Sequence, residues 1–343
     1  MSQSGVTTVE VSKGYSSSEL RPQDNIIVVK GLKVFYKAHR GYVKAVDNVD
    51  LEIRRGEIIG IVGESGSGKS TLAFAILRLL PSNARIVSGS ILYEGEDLVK
   101  LSESRLKNIR WKGISLVPQA ALNALNPTLR IRDHFLETAR AHGVHDDSYV
   151  LKRAAELLEM LRLEPPRVLR SYPHELSGGM KQRVLIALSM ILNPKVLILD
   201  EPTTALDVLT QRFILDLLKD LHRKTGITMI FITHDIAVIA DIADRTAVMY
   251  AGKIVEVGDV YTVFKNPKHP YTVALMKSIP SLVGSVDEMK SIPGTLPDLI
   301  NPPPGCRFAP RCPYAMDICR KQEPPTIRLE TGHIVSCWLY AKR

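Results

Sequence analysis

The sequence predicts an α/β fold with a mostly parallel sheet at its core and helices on both faces. Five short apolar runs end in polar or turn residues, at 58–62, 114–119, 196–202, 228–235 and 245–252. Segments with a helical period, such as 207–224, lie between several of these runs. This alternation is typical of parallel strands joined by helices, and such folds place their chemistry at the carboxyl ends of the strands.

Three units are predicted along the chain. Residues 1–25 form a polar tail, residues 26–265 form the main domain with a β-rich N-terminal part, and residues 266–343 form a small Cys/Pro-rich C-terminal domain. Within the main domain, about 120–193 is predicted as a helical subdomain, because its helical pattern is too long for one crossover. The run NPPPG at 301–305 marks a linker in the C-terminal domain.

The composition excludes some classes of protein. With 45% hydrophobic residues in 343, the chain can bury a substantial core. No apolar run approaches the roughly 20 residues of a membrane-spanning helix, and the polar N-terminus does not resemble a signal peptide. The net charge of +9 comes from scattered basic residues, which gives little support for nucleic-acid binding. We therefore expect a cytoplasmic protein that leaves any membrane crossing to other chains.

The first apolar run leads into a phosphate-binding loop. The pattern of a glycine, four residues and Gly-Lys-Ser, between a strand and a helix, is that of the P-loop. Its backbone amides wrap phosphates, Lys69 supplies a positive charge and the Ser70 hydroxyl can bind magnesium. The alternative, a glycine-rich turn with a surface lysine, does not explain this context. The predicted loop comprises Gly63, Glu64, Ser65, Gly66, Ser67, Gly68, Lys69, Ser70 and Thr71.

Polar residues follow the other strands. Asp200 and Glu201 end the run VLILDE, where one carboxylate can hold magnesium through water and the other can activate the attacking water. Gln119 and His234 end two further runs, and each alone is as compatible with an ordinary surface residue. Because the ends of parallel strands meet at one edge, the four residues together predict a single site.

A second phosphate site is indicated at residues 177–179. Ser177, Gly178 and Gly179 open a helix, where serine is a favoured cap and glycine leaves the backbone amides uncovered. Bare amides at the N-terminus of a helix bind anions. Because the P-loop already supplies one phosphate site, the anion bound at this helix would be a different phosphate.

These motifs, together with Tyr36 and the run ALDV at 205–208, resemble the ATP-binding cassette (ABC) ATPase family over about residues 26–265. The resemblance implies ATP and Mg²⁺ as ligands and a cassette of the P-loop NTPase type. It implies that Ser177, Gly178 and Gly179 bind the γ-phosphate of ATP held by a second subunit, and that Asp207 lies at that interface. Met180 stands where the family more often has glutamine, a difference that leaves the amide contacts intact.

The same resemblance implies a role for each remaining site residue. Tyr36 stacks on adenine, with a core aromatic residue as the alternative. Ser70, Gln119 and Asp200 bind magnesium and water, Glu201 is the general base, and His234 contacts the γ-phosphate. Only 114 positions separate Gly63 from Ser177, too few for the coiled coils of chromosome ATPases, and the chain has one P-loop where translation factors have two. A transporter ATPase is the leading interpretation, and a single-cassette nucleic-acid ATPase is the alternative.

The C-terminal sequence narrows the transporter class. The runs at 269–280, 292–325 and 335–338 resemble the tail of oligopeptide and dipeptide importer ATPases. That group implies a related second ATPase subunit, two transmembrane permease subunits, an extracellular binding protein, and a position on the cytoplasmic face of the membrane. No nucleic acid is expected. Peptide is the expected cargo, with nickel, glutathione or oligosaccharide as alternatives.

All four cysteines lie in this tail: Cys306, Cys312, Cys319 and Cys337. Clustered thiols in a cytoplasmic protein indicate a metal site, but the spacing lacks the C-x2-C pairs usual for zinc. Four thiolates can also hold an iron–sulfur cluster, and the resemblance implies a 4Fe-4S cluster. Zinc and unmetallated thiols remain as alternatives. We expect the tail to have a structural role apart from the P-loop, so that losing one cysteine would leave nucleotide binding intact.

Overall fold

The computed structural model describes residues 25–119, 124–204, 206–278, 292–329 and 332–341. The predicted polar tail therefore lies, except for Asn25, outside the described residues, and so do residues 120–123 at the start of the predicted helical subdomain. The strands in chain order are β1 (Asn25–Ala38), β2 (Gly41–Arg54), β3 (Ile58–Val62), β4 (Ala84–Tyr93), β5 (Glu96–Asp97), β6 (Ile114–Val117), β7 (Val196–Asp200), β8 (Thr228–Ile232), β9 (Arg245–Tyr250), β10 (Lys253–Asp259), β11 (Thr326–Arg328) and β12 (Ile334–Ser336).

Helices connect these strands. They are α1 (Lys69–Ile76), α2 (Glu103–Ile109), α3 (Ile131–Ala141), α4 (Asp147–Met160), α5 (Pro165–Arg170), α6 (Gly178–Ser189), α7 (Val208–Thr225), α8 (Ile236–Ile242), α9 (Val260–Lys265), α10 (Pro270–Lys277) and α11 (Asp317–Lys321). Helices α3 to α5 pack on one another, and α3 and α4 also pack on α6, around fully buried side chains such as Phe135 and Leu158. None of the described helices is long and apolar enough to cross a membrane.

The five apolar runs form one parallel block, as predicted. The central sheet has the order β11-β12-β10-β9-β3-β8-β7-β6, and β9, β3, β8, β7 and β6 are mutually parallel neighbours. Each of these strands is buried on both faces, which explains their continuous apolar sequences. The α/β fold class is therefore confirmed, and the carboxyl ends of the strands lie along one edge.

Two hydrophobic cores lie on opposite faces of the central sheet. Side chains alternate along β3, so Ile58 and Val62 join the core shared with the helical subdomain and α6 to α8. Ile59 and Ile61 join the second core, beneath α1 and an antiparallel sheet with the order β2-β1-β4-β5. The antiparallel sheet is the predicted β-rich N-terminal part.

The C-terminal segment continues the central sheet. Strand β10 pairs antiparallel with β9, and β12 and β11 extend the same sheet beyond β10. Arg307 is buried and forms an ion pair with Asp47, between β2 and the C-terminal segment. This segment is thus packed against the main domain over much of its length.

Candidate nucleotide site

The P-loop lies between β3 and α1, where two of its glycines have no room for a side chain. Gly63 and Gly68 have φ angles of 153° and 104°, which favour glycine. A Cβ atom would lie 2.0 Å from the Met249 carbonyl oxygen at Gly63 and 2.1 Å from the Ala45 carbonyl oxygen at Gly68. Helix α1 begins at Lys69 without a side-chain cap, so its first amides are available to an anion.

Lys69 is folded back into this loop. Its Nζ donates to the carbonyl oxygens of Gly63 at 2.8 Å and Glu64 at 3.0 Å. Burial lowers the pKa of Lys69, and the nearby charges of Glu201 and Asp200 oppose that effect. A buried cation held by neutral carbonyls is well placed to bind phosphate oxygens instead.

Ser70 and Asp200 form a pair suited to magnesium. The Ser70 hydroxyl donates to Asp200 Oδ1 at 3.0 Å, although the two residues are 130 positions apart. Asp200 Oδ2 is buried and has no hydrogen-bond partner among the described residues. Burial raises the pKa of Asp200, and the hydrogen bond from Ser70 opposes that rise. Oxygen ligands of this kind fit Mg²⁺.

Three side chains converge on Glu201. Gln119 Nε2 donates to its Oε2 at 3.2 Å, the Thr204 hydroxyl donates to the same oxygen at 2.9 Å, and His234 Nδ1 lies 3.1 Å from its Oε1. Glu201 has a φ of 48°, an uncommon conformation for a residue other than glycine, and its amide donates to the Ile232 carbonyl. The strand ends therefore bring together the polar residues that the sequence predicted as one site.

This network also sets the charge of Glu201. Burial alone would raise its pKa, but hydrogen bonds from His234 and Thr204 and the charge of Lys69 lower the pKa below its ordinary value. An ionised carboxylate at the sheet edge can accept a proton from water. Gln119, expected at the magnesium, is hydrogen-bonded to Glu201 in this structure.

The Ser177 helix begins as the sequence predicted, and it lies beside α7. The Ser177 hydroxyl accepts from the Met180 amide at 3.3 Å and so caps α6. A Cβ on Gly179 would lie 2.7 Å from Thr210 Cγ2, and the Thr210 amide donates to Asp207 Oδ1 at 2.9 Å. The Ser177 and Asp207 regions therefore form one continuous surface at the starts of two helices.

Tyr36 lies beside the first turn of α1, next to the P-loop. Its hydroxyl is 3.1 Å from Thr71 Oγ1, and its ring is half-buried. This position agrees with an adenine contact next to the phosphates. A cavity of about 480 Å³ lies elsewhere, between β2, β10 and the C-terminal segment, and none of the P-loop residues lines it.

All four cysteines line one small cavity in the C-terminal segment. Burial raises the pKa of Cys306 to about 11, and the other three cysteines add to the rise. Burial likewise raises the pKa values of Cys312 and Cys337. Burial in apolar surroundings therefore favours the protonated form of these three thiols.

The four cysteine thiols were predicted to be metal ligands. No group of three or more His, Cys, Asp or Glu side chains in the described ranges could hold a single metal ion. The amides of Phe308, Tyr314 and Leu339, each two residues after a cysteine, lower the pKa of that cysteine by stabilising its thiolate. The described part of the chain therefore adds no support of its own for a metal ion or cluster at the four cysteines.

The expectation that the cysteine tail lies apart from the P-loop is wrong. Arg311, which precedes Cys312, donates from Nη1 to Glu64 Oε2 at 2.9 Å. The Tyr271 hydroxyl accepts from the Glu64 amide at 2.9 Å. The chain folds back over the 247 positions between Glu64 and Arg311, so separation in sequence was a poor guide to distance.

Sequence reasoning missed three residues of the site: Thr204, Tyr271 and Arg311. Thr204 lies three positions after Glu201, and that spacing is a weak signal because threonine is common in turns. Tyr271 and Arg311 carry no local signal, since their role depends on how the C-terminal segment packs on β9. Only the three-dimensional structure brings them to the P-loop.

The fold and the site define a P-loop ATPase. Residues 46–204 match the family model described as ABC transporter, and residues 255–319 match the model described as oligopeptide/dipeptide transporter, C-terminal region. A third model, described as AAA domain, putative AbiEii toxin, Type IV TA system, matches residues 169–240.

Known proteins resemble the chain over most of its length. The dipeptide transport ATP-binding protein DppD of Caldanaerobacter subterraneus subsp. tengcongensis is 52% identical, over 92% of this chain and 97% of the relative. The oligopeptide transport ATP-binding protein OppD of Bacillus subtilis is 47% identical, over 92% and 88%. The dimeric post-hydrolysis structure of the ATP-binding cassette MJ0796 bound to ADP and Pi has a TM-score of 0.61 and 33% identity, over 68% of this chain and 98% of that chain.

The chain belongs to the family of ATP-binding subunits of oligopeptide and dipeptide ABC transporters. It is accordingly an ATPase, and ATP and Mg²⁺ are the ligands of its family.

Proposed function

We propose that this chain hydrolyses ATP to drive the import of dipeptides or oligopeptides through permease subunits. The hydrogen-bonded group around Glu201, next to Lys69 and the Ser70–Asp200 pair, carries the ATPase part of the proposal. The names of the relatives and the match to the C-terminal family model support peptide as the cargo.

The mechanism follows from the site residues. The P-loop amides and Lys69 bind the phosphates, and Ser70, Asp200 and Gln119 would hold Mg²⁺, which supplies positive charge for the phosphate oxygens. Glu201, kept ionised by its neighbours, orients the attacking water and accepts its proton. His234 and Gln119 hold the carboxylate in place before reaction. Both side chains can then turn towards the γ-phosphate.

A second ATPase subunit completes each site in this proposal. Val208 and Leu209, next to Asp207, are 79% and 82% exposed, an unusual state for adjacent apolar residues. They lie beside the Ser177 helix, and the related MJ0796 cassette is dimeric in its ADP-bound structure. We propose that this surface meets the P-loop of a related second subunit. A strictly monomeric preparation of the full chain should then hydrolyse ATP poorly, and full activity from it would contradict the proposal.

The permease is proposed to dock on the helical subdomain at about 120–193, near Gln119, from the cytoplasmic face of the membrane. An extracellular binding protein would deliver the cargo to the permeases. The units 1–25, 26–265 and 266–343 remain our proposed division, with the last packed on the second.

Transport assays test the cargo directly. Cells lacking this chain should lose uptake of a labelled dipeptide or pentapeptide, and the wild-type gene should restore it, whereas a Lys69→Ala gene should not. Uptake of nickel, glutathione and oligosaccharide should be measured in the same cells. Peptide uptake that is unchanged while one of these falls would replace peptide by that cargo. Turnover that rises with added nucleic acid would favour the alternative class.

We further propose that Cys306, Cys312, Cys319 and Cys337 hold a 4Fe-4S cluster with a structural role. The shared cavity and the amides that stabilise the thiolates support it. The C-terminal segment from residue 292 has few regular elements among its described residues, so a cross-linking group would contribute to its stability. A structural zinc ion and unmetallated thiols are the alternatives that metal analysis of the purified protein distinguishes.

A further inference from the structure

Arg311 connects the C-terminal segment to the P-loop. Its side chain is only 6% exposed, and its Nη1 donates to Glu64 Oε2 at 2.9 Å and to the Tyr250 hydroxyl at 3.3 Å. Its Nε donates to the Pro293 carbonyl at 2.7 Å and its Nη2 to the Ile292 carbonyl at 3.3 Å. A guanidinium with this many acceptors is held in one orientation.

Tyr271 provides a second anchor at the same P-loop residue. Its buried hydroxyl accepts from the Glu64 amide, while its ring packs on Tyr250 with centroids 4.5 Å apart and on Phe308 at 5.5 Å. Phe308 and Arg311 both lie in the loop between Cys306 and Cys312. Glu64 is therefore held at both its amide and its carboxylate by groups packed around one aromatic cluster.

The position of Glu64 matters to the phosphates for two reasons. Its carbonyl accepts from Lys69, so its backbone helps to define where the phosphate-binding cation lies. Its carboxylate is a negative charge on the loop that binds a polyphosphate, and its Oε1 is buried without a partner in the described structure. Without a cation beside it, that charge would repel ATP.

We propose that Arg311 is a positioning residue for the nucleotide, which neutralises Glu64 and holds the P-loop in its phosphate-binding form. The folded cysteine segment is then a requirement for tight ATP binding by the same chain. This inference rests on the proposed nucleotide site at residues 63–71.

The test measures binding of AMP-PNP with Mg²⁺ to the full-length chain by calorimetry. Arg311→Gln should raise the Kd about 10-fold, since a charge-assisted hydrogen bond and a compensating charge are both lost. Arg311→Lys should restore part of the affinity. Arg320→Gln is the matched control, because Arg320 is an exposed arginine in the same segment, and its Kd should equal that of wild type.

A double-variant cycle separates this role from general stability. Adding Glu64→Gln to Arg311→Gln removes the uncompensated charge, so at least half of the lost affinity, on a logarithmic scale, should return. A merely structural arginine would show no such rescue. A Kd for Arg311→Gln equal to that of Arg320→Gln, or a double variant as weak as Arg311→Gln, would overturn the proposal.

Two further variants cover the remaining outcomes. If Arg311→Gln does not fold, Tyr271→Phe removes only the hydroxyl that accepts from Glu64 and should raise the Kd about 3-fold or more; an unchanged Kd would count against the proposal. Lys69→Ala tests the nucleotide site itself. If Lys69→Ala loses binding while Arg311→Gln and Tyr271→Phe bind normally, only the positioning role is refuted. If Lys69→Ala binds nucleotide like wild type, the proposed nucleotide site is refuted.

Discussion

At the scale of single residues, Glu201 combines an uncommon backbone conformation with three side-chain contacts. A left-handed conformation at a residue other than glycine costs about 1 kcal/mol or more, and such strain is often found at functional sites. Here it lets the carboxylate meet Gln119, Thr204 and His234, which approach from three separate segments. The strain therefore has an identifiable use, which is to fix the proposed base.

The first prediction concerns Glu201→Gln. The amide keeps the shape but cannot accept a proton, so ATP turnover of the assembled transporter should fall by roughly 10² to 10⁴ while ATP binding is retained. Phosphate release and nucleotide binding measured together distinguish these effects. Glu52→Gln, an exposed glutamate on β2, is the control and should hydrolyse ATP normally. Near-normal turnover in Glu201→Gln would refute the assignment of the base.

At the scale of elements, the start of α6 is the surface that we propose to meet a second subunit. Ser177 and the following glycines are the exposed or half-buried cap of a helix, and the described structure contains no hydrogen bond from them to the P-loop. The proposed anion at this surface is therefore the phosphate of a nucleotide held by a second subunit. The second prediction therefore changes only the cap.

Ser177→Arg fills this anion site with a long cationic side chain. The isolated variant should bind ATP with the affinity of wild type through its own P-loop, whereas turnover of the assembled transporter should fall at least about 10-fold. Equilibrium binding and turnover are measured on the same preparations. Ser104→Arg, an exposed serine on α2, should leave both values unchanged. Loss of ATP binding by the isolated Ser177→Arg chain would show that the helix acts within its own subunit.

The start of α10 gives a third prediction, on pH. His269 caps this helix, with its Nδ1 accepting from the Tyr271 amide at 3.0 Å, and burial lowers its pKa to about 4. The unfolded chain, with an ordinary histidine pKa near 6.5, binds the proton more tightly than the folded chain. The contribution of neutral His269 to the free energy of unfolding is therefore complete above about pH 6.5 and is lost as the pH falls towards 4.

His269→Asn keeps a capping oxygen and removes the titrating group. Between pH 7 and pH 5, wild type should lose about 2 kcal/mol of unfolding free energy relative to this variant, as measured by urea unfolding. His145→Asn, at an exposed histidine, should follow the wild-type profile. Parallel profiles for wild type and His269→Asn would contradict the buried neutral state of His269.

At the scale of the whole molecule, local patterns predicted the parallel sheet and the edge where its site lies. The strands could be predicted because each is a short apolar run that ends in polar residues, and the P-loop because its glycines have fixed spacing. The contacts of Arg311 and Tyr271 with Glu64 could not be predicted, because they join segments about 200 or more positions apart and no periodic pattern marks them. Long-range packing of a segment with little regular structure leaves no pattern in the sequence.

The last prediction concerns the segment that carries the four cysteines. Changing it is expected to affect both the bound metal group and the binding of nucleotide. If a 4Fe-4S cluster holds Cys306, Cys312, Cys319 and Cys337 together, anaerobically purified protein should be brown and contain iron and acid-labile sulfide in equal amounts. Cys312→Ser should bleach the protein and make the segment sensitive to protease, because the cross-link that stabilises it is lost.

Because Arg311 adjoins Cys312 and contacts Glu64, the same variant should also weaken AMP-PNP binding, contrary to the expectation from sequence that binding would stay intact. Ser336→Ala, a half-buried β12 residue, should keep the colour, the protease resistance and the affinity. Colourless protein with one zinc per chain would replace the cluster by a structural zinc ion. Colourless, metal-free protein whose C-terminal segment resists protease would show that packing on the main domain alone stabilises the segment, without any metal.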